Sequence, residues 1–373
     1  MIPLFKVYMS KNSSESASKV INSGYIGQGP VVDKFEDMLK ERLDNDLVLT
    51  TNSGTSALHL SLHTIGKPGD EVLCTPLTCT ATNWPVLANG MGIKWVDLDP
   101  NTLNMDLDDL SRKITKTTKI ILVVHWGGYP LDLCKLDDVC EKAKKINGFK
   151  PLVIEDCAHA FGSTYNERCL GNHGNIACYS FQAIKHLTSV DGGLICCPNI
   201  ELYNKMKLTR WYGIDREADR KDFRCEANIS NWGFKFHMND VNAAVGIENL
   251  KEVDKEVIEK HVDNAEYYNR SLEKVRGVEL LENKPDRQSS NWLYTIKIQN
   301  RDKFIHEMKR DGITTSRVHE RNDIHTCVDS YRCLLPELDR VVKNVVCIPC
   351  GWWLSSEERE HIVKCIKKYT KSL

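Results

Sequence analysis

The chain has 373 residues, 41% hydrophobic and 27% charged, with a formal net charge of −1. That length exceeds one small core and points to two domains. The balanced charge offers no basic surface for nucleic acid, and no stretch is long and apolar enough to span a membrane. Met1-Ile2-Pro3-Leu4-Phe5 lacks the basic start and apolar run of a secretory signal. The 15 cysteines are odd in number, and Cys74, Cys178, Cys196 and Cys197 lie in apolar runs, as small core residues of a cytoplasmic protein do. Cys347 and Cys350 form a CxxC pair and Cys157 lies near His159, but no second matching pair completes a zinc set, so no metal is expected.

From residue 30 to 200, strand and helix signals alternate, the pattern of an α/β domain on a mainly parallel sheet. Amphipathic spacing predicts a helix over 31–43, followed by a strand over 47–51 and a helix over 56–64. Strands follow over 71–74, 93–96 and 118–125, the last a continuous apolar run buried on both sides. A helix over 133–145 leads to a strand over 152–154. Two more apolar runs, 176–181 and 194–197, flank a short connection. Helical spacing then dominates over 200–210, 241–271 and 302–309, with strands at 292–298 and 344–348 and a closing helix over 357–371. The boundary is placed in the helical stretch, giving a large domain of 1–250 and a smaller C-terminal α/β domain of 251–373.

Three segments carry chemistry. Lys185 sits in the connection between two core strands, where burial depresses the amine pKa and frees it to bond a carbonyl carbon, as in enzymes that hold pyridoxal phosphate (PLP). An ordinary hairpin lysine would read the same in isolation. Asn52-Ser53-Gly54-Thr55-Ser56 turns from a strand into a helix, whose first N–H groups and dipole bind phosphate. Helix capping alone would use the same residues. Ser180, ahead of the lysine, can add a hydroxyl there. Glu155 and Asp156 end a buried strand, the edge where open α/β sheets bind ligands. Glu155 should point to the opposite side, which leaves Asp156 to face a pyridine nitrogen and keep it protonated. His159 is placed to reach the ring's phenolic oxygen or stack on its face.

The ordered set resembles the DegT/DnrJ/EryC1/StrS family of nucleotide-sugar aminotransferases, which have the fold of type I PLP-dependent transferases. The resemblance runs from Gly24-Tyr25-Ile26-Gly27-Gln28-Gly29-Pro30 to Ile348-Pro349. It passes through Gly69-Asp70-Glu71-Val72, Val124-His125-Trp126-Gly127 and Asp191-Gly192-Gly193. It implies that Lys185 holds PLP covalently and later shuttles the proton, that Asp156 pairs with the pyridine nitrogen, and that Gly54, Thr55, Ser56 and Ser180 hold the phosphate. His159 takes the place of the usual Gln. Cys79 stands where a ring-stacking aromatic is expected, with Trp84 or His159 to compensate. Lys235 replaces an Asn that reaches the partner subunit's phosphate, and His237 replaces an Arg.

The implied reaction passes an amino group from L-glutamate to a keto carbon, C4 by preference, of a nucleotide-linked 4-keto-6-deoxyhexose. The product is an amino-dideoxy sugar such as viosamine or perosamine. Amination at C3 is the alternative. Relatives with His in place of the lysine are PMP-dependent dehydratases, and the retained Lys185 favours transamination. The resemblance further implies a homodimer with shared active sites. Tyr25, Gln182, Arg317, His319 and His325 are the expected sugar- and diphosphate-facing residues. A PLP lyase or desulfurase would need a mobile nucleophilic cysteine. A non-catalytic PLP- or sugar-binding regulator would have no use for an intact Lys185 and Asp156.

Overall fold

The computed structural model describes residues 1–218, 222 and 228–371. Its centre is a seven-stranded sheet in the order Val48–Thr51, Gly193–Cys196, Ile176–Ser180, Leu152–Asp156, Thr118–Val124, Glu71–Cys74 and Gly92–Trp95. The last five are parallel to one another, and Gly193–Cys196 runs antiparallel to the strands on both sides. The mainly parallel mixed sheet expected from the alternating pattern is therefore present. Helices cover both faces. Side chains alternate along each strand, so Ile121 and Val123 join one core while Ile120 and Leu122 join the other.

The Pro30–Leu43 helix begins with Pro at its first turn, where the missing N–H costs nothing. It buries Val32, Phe35, Leu39 and Leu43 as one stripe. The Asp240–Leu250 helix crosses it closely: a Cβ on Gly246 would lie 2.6 Å from the Phe35 ring.

A second, three-stranded antiparallel sheet joins Val278–Leu280, Tyr294–Ile298 and Val345–Ile348. The Glu259–Leu272, Arg301–Arg310 and Ser356–Thr370 helices bury Tyr268, Phe304 and Ile366 in a third core with it. The first residues of the chain pack here too, with Ile2 bridged to Ile313.

The structure departs from the sequence reading at several helices. The single helix expected over 241–271 is divided: Asp240–Leu250 gives way to a π-helical turn, Asp254–Ile258, before Glu259–Leu272. Val253, Val257 and Ile258 are all buried around that turn. Four helices among the described residues escaped the periodicity: Ser13–Ser23, Thr80–Ala88, Leu107–Lys113 and Pro336–Val341. Ser13–Ser23 is polar and buries only Ser13. Thr80–Ala88 contains Pro85 and a threonine-rich start, which read as loop.

One buried pair supports the strand that carries the acids. His125 Nδ1 accepts the Leu131 N–H at 3.0 Å, so its Nε2 carries the hydrogen donated to Glu155 at 2.9 Å. Asn175 donates to the other Glu155 oxygen at 2.8 Å. His125 holds the buried Glu155 carboxyl below its ordinary pKa, so the stabilisation is present above about pH 4.5 and lost on acidification. We expect His125→Ala to lower stability by about 3–5 kcal/mol at neutral pH, read by denaturant titration. A loss under about 1 kcal/mol would show that the pair contributes little.

Candidate active site

The strand alternation separates the two acids as expected. Glu155 turns to His125, while Asp156 turns to the opposite face. There it accepts the Thr82 hydroxyl at 2.7 Å and the Ala158 N–H at 3.0 Å. Asp156 is 4% exposed. Burial raises its pKa, against the pull of those two hydrogen bonds and the Lys185 charge.

The Gly54–Ile65 helix starts directly after the edge strand. Ser53 caps it, its Oγ accepting the Ser56 N–H at 3.0 Å. A Cβ on Gly54 would lie 2.8 Å from Cβ of Ser180. Only glycine lets the helix start and the Ser180 backbone approach so closely. Gly54→Ala should therefore weaken PLP retention at least about tenfold, measured by equilibrium dialysis. Unchanged retention would remove this turn from the phosphate site. Ser56 departs from expectation: its hydroxyl meets Ser53 Oγ at 2.9 Å instead of lining the cavity.

Lys185 follows the Ile176–Ser180 strand in a tight connection, its N–H donating to Gln182 O at 2.9 Å. The connection returns at Gly192, whose carbonyl accepts from Phe181 at 2.8 Å. Burial lowers the amine pKa to about 7, with Asp156 and Cys79 pulling the other way. The amine lies over the Trp292 ring, 3.4 Å from its centroid.

His159 stacks on Trp292 at 4.1 Å and lies parallel to His319, the His159 and His319 Nε2 atoms 3.4 Å apart. Burial and the nearby Lys185 charge push His159 well below its ordinary pKa and His319 down to about 4. Both rings are neutral at pH 7, so His319 does not offer the positive charge expected for a diphosphate.

These groups surround one cavity of about 470 Å³. It gathers Gly54, Thr55, Cys79, Asp156, His159, Ser180, Gln182, Lys185 and His319 from the expected set. Ser53, Thr82, Phe5, Trp292 and Val318 join them and were not anticipated. The hydroxyl-rich run Thr75–Thr82 is the one sequence signal that pointed at Thr82. Nothing local marked Trp292, which begins an apolar strand pattern, or Phe5.

Other expected residues lie elsewhere on the single chain. Tyr25 is 84% exposed. Lys235 is exposed and presents only its carbonyl to Asn52, at 3.2 Å. Arg317 is paired with Glu320, and His325 packs edge-on against Trp84, 5.8 Å between ring centres. Trp84 is thus engaged outside the cavity and does not replace the missing stacking ring.

The cavity suits PLP on its own residues. A side-chain-free helix start with hydroxyls suits a phosphate, a buried carboxylate suits a pyridine nitrogen, and a lysine amine near pKa 7 suits an aldehyde. The DegT/DnrJ/EryC1/StrS aminotransferase family profile matches residues 7–367. The chain belongs to that family. It is a PLP-dependent nucleotide-sugar aminotransferase. The aminotransferase is 30% identical over 362 residues to the dTDP-4-dehydro-2,3,6-trideoxy-D-glucose 4-aminotransferase of Saccharopolyspora spinosa, covering 94% of this chain and 91% of that one. It is 27% identical over 390 residues to the GDP-perosamine synthase of Vibrio cholerae, covering 99% of each. Among solved structures it superposes on the sugar aminotransferase CalS13 of Micromonospora echinospora with a TM-score of 0.96. The identity is 46%, over 99% of this chain and 100% of that one. No described helix of the aminotransferase is long and apolar enough to cross a membrane.

Proposed function

We propose that this aminotransferase carries an amino group from L-glutamate to C4 of a nucleotide-linked 4-keto-6-deoxyhexose, giving an amino-dideoxy sugar of the viosamine or perosamine kind. The observation that carries the reading is the convergence of Lys185, Asp156 and the Gly54 helix start on one cavity. The preference for C4 is supported by the relatives named for 4-amination and perosamine synthesis.

PLP, when bound, supplies the electron sink that lets an amino group be stored and passed on. The chain's own groups do the rest. The N–H groups at Gly54 and Thr55, with the hydroxyls of Thr55 and Ser180, bind and orient the phosphate. Asp156 holds a proton on the pyridine nitrogen. His159 Nδ1 accepts the Gly127 N–H at 3.4 Å, which leaves its Nε2 hydrogen, beside His319 Nε2 at 3.4 Å, as the donor that would be available to the ring's phenolic oxygen. Lys185 takes and returns the proton at the carbon where the amino group arrives. Phe5, Trp292 and Val318 give the cavity apolar walls that fit the deoxygenated positions of such a sugar.

We further propose a homodimer in the cytoplasm. Tyr25 and Lys235 lie off their own chain's cavity, available to a second copy. Trp232, 66% exposed, packs with His63 and Phe234 in an aromatic face that a second copy would cover. The cysteines among the described residues are all free, which fits a reducing compartment.

The test is spectroscopic. Loaded enzyme should lose its absorbance band with L-glutamate and regain it with one nucleotide-linked 4-keto-6-deoxy sugar. The product's amine position is then read by NMR. Recovery only with a 3-keto sugar would move amination to C3, and loss of water from the sugar without consumption of glutamate would make the enzyme a dehydratase.

A further inference from the structure

The Lys185 side chain lines the cavity, and its amine is held in an unusual way for a cation. Among the described residues no hydrogen bond or carboxylate holds Nζ. What it meets is the indole face of Trp292, 3.4 Å from the ring centroid. Trp292 is itself 5% exposed and held on several sides. Its Nε1 donates at 2.9 Å to the carbonyl of Ile184, the residue before the lysine. Phe5 stacks on it at 5.2 Å and His159 at 4.1 Å. The preceding residue is tied as well: the Asn291 carbonyl accepts from His261 Nδ1 at 2.9 Å. His261 in turn packs edge-on against His186, the residue after the lysine, at 4.5 Å. Residues 291 and 292 therefore grip the lysine connection before and after Lys185.

We propose that Trp292 is a positioning residue for Lys185, its indole face holding the amine in place whenever the lysine is not covalently engaged. The inference rests on the PLP reading of the cavity. In a transamination cycle the amine must be released, wait beside the reacting carbon, and both take up and give back a proton. A lysine side chain left loose loses its aim to rotamer freedom. A carboxylate in direct contact with it would lock it as an ammonium. An aromatic face attracts the ammonium and also receives a weak N–H contact from the neutral amine, so it keeps the position without fixing the charge. The titratable groups around the amine are Asp156, Cys79, His159, His319 and His186. Of these, Asp156 and Cys79 draw the amine toward its charged form, and burial brings it down to about 7, where both forms are populated.

Two measurements on full-length protein freed of PLP test this. Indole emission followed from about pH 5 to about pH 9 should show a step near the lysine pKa in wild type and none in Lys185→Ala. No step in wild type, or the same step in Lys185→Ala, overturns the proposal. The second measurement is the rate of PLP capture against pH in wild type, Trp292→Phe and Trp292→Leu. In this reaction the neutral amine condenses with the PLP aldehyde and one water leaves. Phe keeps a ring face, and Leu removes it. Losing a group that favours the ammonium lowers the amine pKa, so the Trp292→Leu midpoint should fall by roughly half a pH unit or more, with Trp292→Phe near wild type. Three equal midpoints overturn the proposal. Should Trp292→Leu not fold, the emission step decides alone. Failure of wild type to capture PLP would instead refute the cofactor reading, while the emission step would still report the amine–indole contact.

Discussion

Lys185→Ala is expected to abolish transamination, by roughly 10⁴-fold or more, because in the proposed mechanism the same amine both holds PLP and moves the proton. The absorbance band of the loaded enzyme should vanish with it. A second effect has the opposite sign. The folded amine pKa of about 7 lies below the ordinary lysine value of 10.5. Burying this amine therefore costs stability at any pH below the ordinary value, and the full cost applies below about 7. Lys185→Ala should accordingly melt at a higher temperature than PLP-free wild type at pH 6, by differential scanning calorimetry. A variant that is inactive and also less stable would mean that the lysine serves the fold more than the chemistry.

Asp156→Asn should cut turnover roughly 10- to 100-fold, the worth of a hydrogen bond to a charged partner. Asparagine keeps the size of the side chain and can still accept from Thr82, yet it cannot hold a proton on the pyridine nitrogen. The loss should therefore appear in kcat, with a shifted absorbance maximum and little change in glutamate KM. An equal loss in Thr82→Val with Asp156 intact would place the effect in the Thr82–Asp156 hydrogen bond instead of the proton on the ring, since that change removes the hydroxyl that Asp156 accepts from.

Much of this was legible in the residues because the signals are local. The apolar run of Thr118–Val124 reads as a strand buried on both sides, and its side chains do divide between two cores. The two acids of Leu152–Asp156 diverge as any strand requires. Lys185 and Gly54 sit at turns that their own neighbours define. What escaped depends on distant partners. Trp292 and Phe5 reach the cavity only because the strand beginning at Tyr294 and the N-terminal segment fold over it, which no short window records. The segment holding Arg317, His319 and His325 reads as a cluster of positive charge. In three dimensions Arg317 is paired with Glu320 and His319 is neutralised by burial. Thr80–Ala88 was hidden by Pro85, which ordinarily ends a helix but here lies inside a short one.

The antiparallel strand has a consequence for how this scaffold can change. Gly193–Cys196 lies between the strand that leads into the phosphate turn and the strand that leads into Lys185. A Cβ on Gly193 would lie 2.5 Å from the Ser53 backbone, so the turn is pressed directly against this strand. The distance between the proposed phosphate turn and the end of the strand that leads to Lys185 is then set by the sheet itself. The apolar walls proposed to meet the sugar come instead from Phe5, Trp292 and Val318, in the chain's first residues and in segments near residues 292 and 316–319. Recognition of a new sugar can thus be built by exchanging these peripheral segments, while the two anchor points of the cofactor stay in register.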